Sequence, residues 1–228
     1  MKHKKSVLKR AVLWISGLIG IFILVLILNL VLLLVNEEKI SAGQPIPNYD
    51  NEQAALLVVD IQEIITGETS VFPELREQSE PFIQSINRAV DSFRIHKAPV
   101  IYVRSEINNP FINLLNSTYA KGSPGVAFDR RLQVVSDLEV IKSGKDSFRK
   151  THLDEILQKN KVNALYIVGL DAAECVNATI EAALNRKYQV NVIREAVISK
   201  SQQALDSMLL VFRDRGVGLL PMDSLRLH

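Results

Sequence analysis

Two hydrophobic rhythms divide the chain. The first is one unbroken run from Ala11 to Val35, 25 residues without a charge. At about 1.5 Å per residue it makes roughly 37 Å of helix, enough to cross a hydrocarbon core of about 30 Å with some tilt. A cleaved signal peptide would carry an apolar stretch of about 7–15 residues ending in small residues. This run is longer, and Asn36-Glu37-Glu38-Lys39 is a poor cleavage site. The pattern therefore predicts an uncleaved, single-pass membrane anchor. Lys2, Lys4, Lys5, Lys9 and Arg10 precede it, and only Lys39 follows before Arg76. That asymmetry predicts a cytoplasmic N-terminus at residues 1–10 and a domain on the other side of the cell membrane.

The second rhythm begins after a short polar linker, residues 36–50, which holds Gly43, Pro45 and Pro47. Across residues 51–228, short continuous apolar runs alternate with stretches of helical spacing. Ala54–Val59 (AALLVV), Pro99–Val103, Leu138–Ile141, Ala164–Gly169, Gln189–Ile193 and Val217–Leu220 read as strands. Unbroken apolar runs of this length suit strands covered on both faces. Phe82, Ile83, Ile86, Ala89, Val90 and Phe93 recur at helical spacing, as do the apolar positions of His152–Lys159, Cys175–Arg186 and Ala204–Phe212. Glu106 to Ser136 shows no period, and a connection of that length is expected to shape a pocket. The alternation predicts a three-layer α/β/α fold, doubly wound around a mostly parallel sheet of about six strands.

Charge changes the picture only once it is divided. Residues 1–49 hold six Lys/Arg and two Glu, a balance of +4, and the remainder holds 21 basic and 23 acidic residues, a balance of −2. The basic character belongs to the anchor. A nucleic-acid partner would need a basic face on the domain itself, so none is expected. The basic flank fits a topology signal that also meets anionic lipid headgroups. The single cysteine, Cys175, excludes an internal disulfide and a multi-cysteine metal site.

Three polar residues fall at or just beyond predicted strand ends: Asp60, Lys142 and Cys175. In a parallel sheet these ends share one edge, where such folds bind ligands. A thiolate is a nucleophile, and a helix N-terminus with a nearby cation stabilises it. A carboxylate in reach can take the thiol proton and return it. Spacing alone leaves plainer readings open: a capping aspartate, a solvated lysine and a small buried thiol.

Four stretches in order carry a resemblance over roughly Ala54 to Leu220. They are Leu56-Leu57-Val58-Val59-Asp60-Ile61-Gln62; Gly122-Ser123-Pro124-Gly125 with Asp129 and Leu132; Val140-Ile141-Lys142 with Ser147-Phe148 and Thr151-x-Leu153; and Gly169-Leu170-Asp171-Ala172-Ala173-Glu174-Cys175-Val176 with Thr179. Together they resemble the isochorismatase-like family of cysteine hydrolases. The resemblance implies a triad of Asp60, Lys142 and Cys175. Lys145 is a nearby alternative, but the family lysine lies six residues before the phenylalanine, which selects Lys142. The resemblance also implies a cis peptide between Leu170 and Asp171, oxyanion donors at the Asp171 and Cys175 N–H groups, and Gln62 and Phe148 as pocket candidates. It implies no cofactor and permits a homo-oligomer.

The chain departs from the family pattern at Ala172, Asp146 and Lys150, where threonine, serine and glycine are usual. The nicotinamidase branch carries a D-x-H metal motif after its second strand. Here that region reads Val103-Arg104-Ser105-Glu106, and His3, His96, His152 and His228 do not supply the pattern. No metal is expected, and nicotinamide is disfavoured as the substrate. The activity implied is hydrolysis of a C–N bond in a small amide through a Cys thioester. The alternatives are vinyl-ether hydrolysis of isochorismate type and a surface-anchored binding protein that keeps the fold without turnover. Sequons at Asn116 and Asn177 are read as chance, because the second lies on the expected active-site helix.

Overall fold

A computed structural model describes residues 2–37, 39–51, 53–115 and 117–225. It divides into two compact units, Met1–Lys39 and Ile40–His228. The first contains one helix, α1 (Lys2–Glu37). Within it Leu13–Val31, 19 residues with a mean hydropathy of 2.6, is long and apolar enough to cross a membrane. The side chains of residues 2–12 and 32–37, the basic flank among them, lie outside the described residues, as does Asn116 of the first sequon.

In the second unit the chain runs through β1 (Ala54–Val59), α2 (Pro73–Ile95), β2 (Val100–Ser105), α3 (Pro110–Leu115) and β3 (Glu139–Lys142). It continues through α4 (Leu153–Lys159), β4 (Ala164–Gly169), α5 (Cys175–Asn185), β5 (Gln189–Val197), α6 (Gln202–Asp214) and β6 (Gly218–Leu220). All strand pairs are parallel, in the order β3-β2-β1-β4-β5-β6. Successive side chains in a strand face opposite ways, and β1 shows why its sequence is apolar throughout. Ala55, Leu57 and Val59 join Val176, Ile180, Leu153, Leu157 and Phe212 in one core. Leu56 and Val58 join Phe82, Ile83, Ile86, Val90 and Phe93 of α2 in the other.

Two stretches differ from the sequence expectation. The aperiodic connection from Glu106 to Ser136 contains α3 and a 3₁₀ turn at Pro124–Val126. β5 runs on to Val197, because Gly169 pairs with Val197 across a break in the β4 register.

Part of the stretch expected to be a linker is docked. Ile40 and Ile46 pack against the first core. Ser41 donates from its backbone N–H (2.8 Å) and its Oγ (2.6 Å) to Asp146 Oδ2. Arg186, almost fully buried, donates to Ser41 and pairs with Asp154 at 2.8 Å. Its guanidinium also lies 4.3 Å from the centroid of the Phe148 ring. Asp146 Oδ1 accepts the Phe148 N–H at 2.8 Å. One buried carboxylate thus ties residues 40–46 to the loop that follows β3. Asp146→Ala leaves three donors without an acceptor and is expected to cost about 2–4 kcal/mol. A lower midpoint for denaturant unfolding of the full chain in detergent checks this.

Candidate active site

The strand order places the site. From β1 the chain winds outward through β2 and β3, then crosses back to β4 on the other side of β1. The crevice outside the carboxyl ends of β1 and β4 is therefore a topological switch point, where open α/β sheets bind ligands. Val59 and Gly169, the last residues of these strands, are partners in register. Gly169 has φ +129, and a Cβ there would lie 2.2 Å from the Val59 carbonyl oxygen. Only glycine permits that approach.

Asp60 is the next residue after β1, in a left-handed conformation (φ +61) with its N–H donating to Val103 O at 2.9 Å. Lys142 ends β3 opposite Ser105, the last residue of β2. Cys175 opens α5 and is part-exposed. The sheet brings the three side chains together. Lys142 Nζ lies 2.8 Å from Asp60 Oδ2 and 3.3 Å from Cys175 Sγ. It also donates to Ser105 Oγ (2.8 Å) and to the Gly144 carbonyl (3.0 Å). Asp60 also acts electrostatically on the Cys175 thiol. Asp60 and Lys142 are 1% and 2% exposed, so neither charge is held by bulk water.

Burial sets the resting protonation. It opposes the charged form of Lys142, yet Asp60 and Cys175 outweigh it and hold the ammonium above its ordinary range. Burial also pushes the Cys175 thiol up; Lys142 pulls it down, Asp60 pushes it further, and the result is about 12. Burial, and then Asp60, thus favour the thiol at rest while Lys142 opposes them, which leaves Asp60 to take the proton as the sequence reading has it. A second anion would leave the buried cluster with net negative charge.

The turn before Cys175 is tightly specified. The Leu170–Asp171 peptide is cis. The Asp171 carbonyl accepts from the N–H groups of Glu174 (3.0 Å) and Val176 (3.1 Å), and its carboxylate accepts from Ala173 N–H and Ser199 Oγ. Among the described residues, the N–H groups of Asp171 and Cys175 have no acceptor.

The other candidates are engaged in other contacts. Gln62 is fully buried, and its amide is spent on backbone. It accepts the Ser105 N–H (2.7 Å) and donates to the carbonyls of Ser105 and Val126 (3.0 Å each). Phe148 is 3% exposed and packs in the first core beside Tyr188. Lys145 pairs with Glu174 at 2.6 Å. Asn177 accepts from Arg215 at 3.0 Å.

The departures from the family pattern have local reasons. Asp146 anchors Ser41 as described. Ala172 is fully buried, with its N–H on Ile198 O. Lys150 holds φ +55, a conformation that a glycine adopts without steric cost.

Sequence reasoning missed Ser105. Its Oγ donates to Asp60 Oδ1 at 3.0 Å while accepting from Lys142, so it fixes both charged groups at once. A polar residue ending an apolar strand was the available signal. Among the described residues, no group of three or more His, Cys, Asp or Glu side chains is placed to hold a metal ion.

Comparison with known proteins follows the same boundaries. An isochorismatase domain model matches residues 54–223. The secreted isochorismatase effector Isc1 of Verticillium dahliae is 27% identical over 170 residues, 74% of this chain and 85% of that protein. An isochorismatase family protein from Desulfovibrio vulgaris superposes with a TM-score of 0.68 at 20% identity, covering 76% of this chain and 96% of its own. N-carbamoylsarcosine amidase from Thermoplasma acidophilum superposes at 0.64 with 25% identity, covering 77% and 99%. With the sheet order and the family model in agreement, the chain belongs to the isochorismatase family of hydrolases.

Proposed function

We propose that this protein is a membrane-anchored cysteine hydrolase that cleaves the C–N bond of a small amide. The observation that carries the reading is the cluster of Asp60, Lys142 and Cys175 at the switch point of the sheet. Cys175 Sγ attacks the substrate carbonyl as its proton passes to Asp60. The unspent N–H groups of Asp171 and Cys175 receive the developing oxyanion, a contribution of about 3–4 kcal/mol per donor. Asp60 then gives the proton to the leaving amine as the C–N bond breaks, leaving an acyl thioester on Cys175. Water, deprotonated by Asp60, attacks the thioester and releases the acid, and the thiol is restored. Lys142 keeps its proton throughout and balances the charge on Asp60 and on sulfur. The relationship to N-carbamoylsarcosine amidase supports amide chemistry.

The anchor is the apolar helix around Leu13–Val31. The basic flank before it favours a cytoplasmic N-terminus and an extracytoplasmic hydrolase domain. Tag accessibility in intact cells tests that orientation, and a C-terminal tag found in the cytoplasm would overturn it.

Incubating the full-length protein in detergent with a panel of small amides is expected to yield an acyl adduct on Cys175 by intact mass. Cys175→Ala should lose both adduct and turnover. Full turnover in that variant would rule the mechanism out. Isochorismate hydrolysis that survives Cys175→Ala would favour a vinyl-ether reaction, the second reading, which the relationship to an isochorismatase effector keeps in play.

A further inference from the structure

Residues 40–46 lie outside the isochorismatase domain, which is matched from residue 54. They are nevertheless bound to it as a strap. Ile46 donates its N–H to the Arg186 carbonyl at 2.9 Å, and Asn185 Nδ2 donates to the Ser41 carbonyl at 3.2 Å. Gly43, at φ +65, runs so close to Arg186 that a Cβ there would lie 2.4 Å from its Cζ. The strap's deepest tie is the pair of hydrogen bonds from Ser41 to Asp146, a carboxylate only 1% exposed.

Asp146 belongs to the loop that follows β3, and that loop meets the site at three points. The Gly144 carbonyl accepts from Lys142 Nζ at 3.0 Å. Lys145 pairs with Glu174, the residue before Cys175, at 2.6 Å. Ser147, fully buried, donates its N–H to Thr179 Oγ1 at 3.3 Å, and the two hydroxyls are hydrogen-bonded at 2.7 Å. Thr179 lies one turn along α5 from Cys175. The loop therefore holds Lys142 on one side and the first turn of α5 on the other. Its placement bears on the 3.3 Å between Lys142 Nζ and Cys175 Sγ.

We propose that Ser41 and Asp146 are positioning residues for the active site: the strap fixes the loop after β3, and through Gly144 and Ser147 it sets Lys142 against the Cys175 thiol. The segment between the apolar helix and the family domain is then a working part of the site. This rests on the reading of Cys175 as the nucleophile, and the test separates the two. An ammonium beside sulfur favours the thiolate, so a displaced Lys142 lowers the thiolate fraction and slows alkylation. Loosened packing does the reverse, because it uncovers a buried thiol.

The full-length protein in detergent is labelled with iodoacetamide from pH 8 to pH 11 and read by intact mass, which is unambiguous with a single cysteine. Asp146→Ser keeps an oxygen able to accept the Phe148 N–H but loses the one that takes both Ser41 donors. Ser41→Ala removes one of those donors, and Ser41→Thr keeps both. Labelling is expected to slow at every pH, about tenfold in Asp146→Ser and about threefold in Ser41→Ala, in line with the hydrogen bonds lost. Ser41→Thr is expected to label at the parent rate. Equal or faster labelling in Asp146→Ser and Ser41→Ala shows a strap that only stabilises the fold and overturns the proposal, leaving the nucleophile standing. Ser41→Thr as slow as Ser41→Ala also overturns it. No labelling of the unsubstituted protein at any pH overturns the nucleophile reading, and this inference with it.

Discussion

Lys142→Met is expected to lower acylation of Cys175 by about 10²–10³-fold and to destabilise the fold by about 3–5 kcal/mol. The two effects share one cause. Among the described residues, Lys142 Nζ is the cation paired with Asp60, which is 1% exposed. Methionine fills a similar volume but leaves that carboxylate buried without a counter-charge. Ser105 Oγ loses its donor and the Gly144 carbonyl its partner. The thiol also loses the ammonium that draws its ionisation downward.

A second substitution separates stability from chemistry. Adding Asp60→Asn to Lys142→Met removes both charges and is expected to recover most of the lost stability, since an uncompensated ion costs more than no ion pair. Acylation stays absent in the double variant, because neither the base nor the counter-charge remains. Denaturant unfolding of the four proteins, with intact-mass detection of the acyl adduct, reads both outcomes. Lys142→Met unfolding at the same midpoint as the parent protein would sink the account of the buried pair.

The fold was legible where one physical rule dominates. AALLVV reads as a doubly covered strand because the β1 side chains alternate between two cores. Phe82 to Phe93 reads as a helix because one face must meet Leu56 and Val58. The order of strands was not legible, since each apolar run looks alike, and it is the order that puts Asp60 beside Gly169. Long-range polar pairing was equally hidden. Ser41 and Asp146 lie 105 residues apart, and nothing in a polar, proline-containing stretch announces that it docks.

At the candidate site, the motif order in the sequence picks out Asp60, Lys142 and Cys175, and the sheet brings them within bonding distance. Ser105 carries no such pattern. It is an ordinary strand-end serine, and its relevance comes from β2 pairing with both β1 and β3. Gln62 shows the reverse case, because a motif residue next to the site can be wholly occupied in holding backbone.

The resting thiol sets the second large effect, on reactivity against pH. With Cys175 pushed up to about 12, the thiolate is a far smaller share of the population at pH 7 than the few per cent of an ordinary cysteine. Alkylation by iodoacetamide is therefore expected to rise about tenfold per pH unit from pH 7 to pH 11, roughly 10⁴-fold in all, without a plateau. The sign follows from charge. Ionisation adds an anion beside Asp60 in a buried setting, so the protonated form prevails until pH passes the raised value.

Asp60→Asn gives the sharper reading. It removes a neighbour that pushes the thiol up and leaves Lys142 to pull it down, so labelling at pH 8 is expected to become faster by about tenfold or more. Turnover falls at the same time, because the group that takes and returns the proton is gone. A base-assisted nucleophile is thus more reactive to an alkylating probe once its base is lost, and less able to complete a catalytic cycle. Slower labelling in Asp60→Asn, or a plateau between pH 7 and pH 9 in the parent protein, would mean that a thiolate is already formed at rest. Proton transfer to Asp60 would then not be the step that makes the nucleophile.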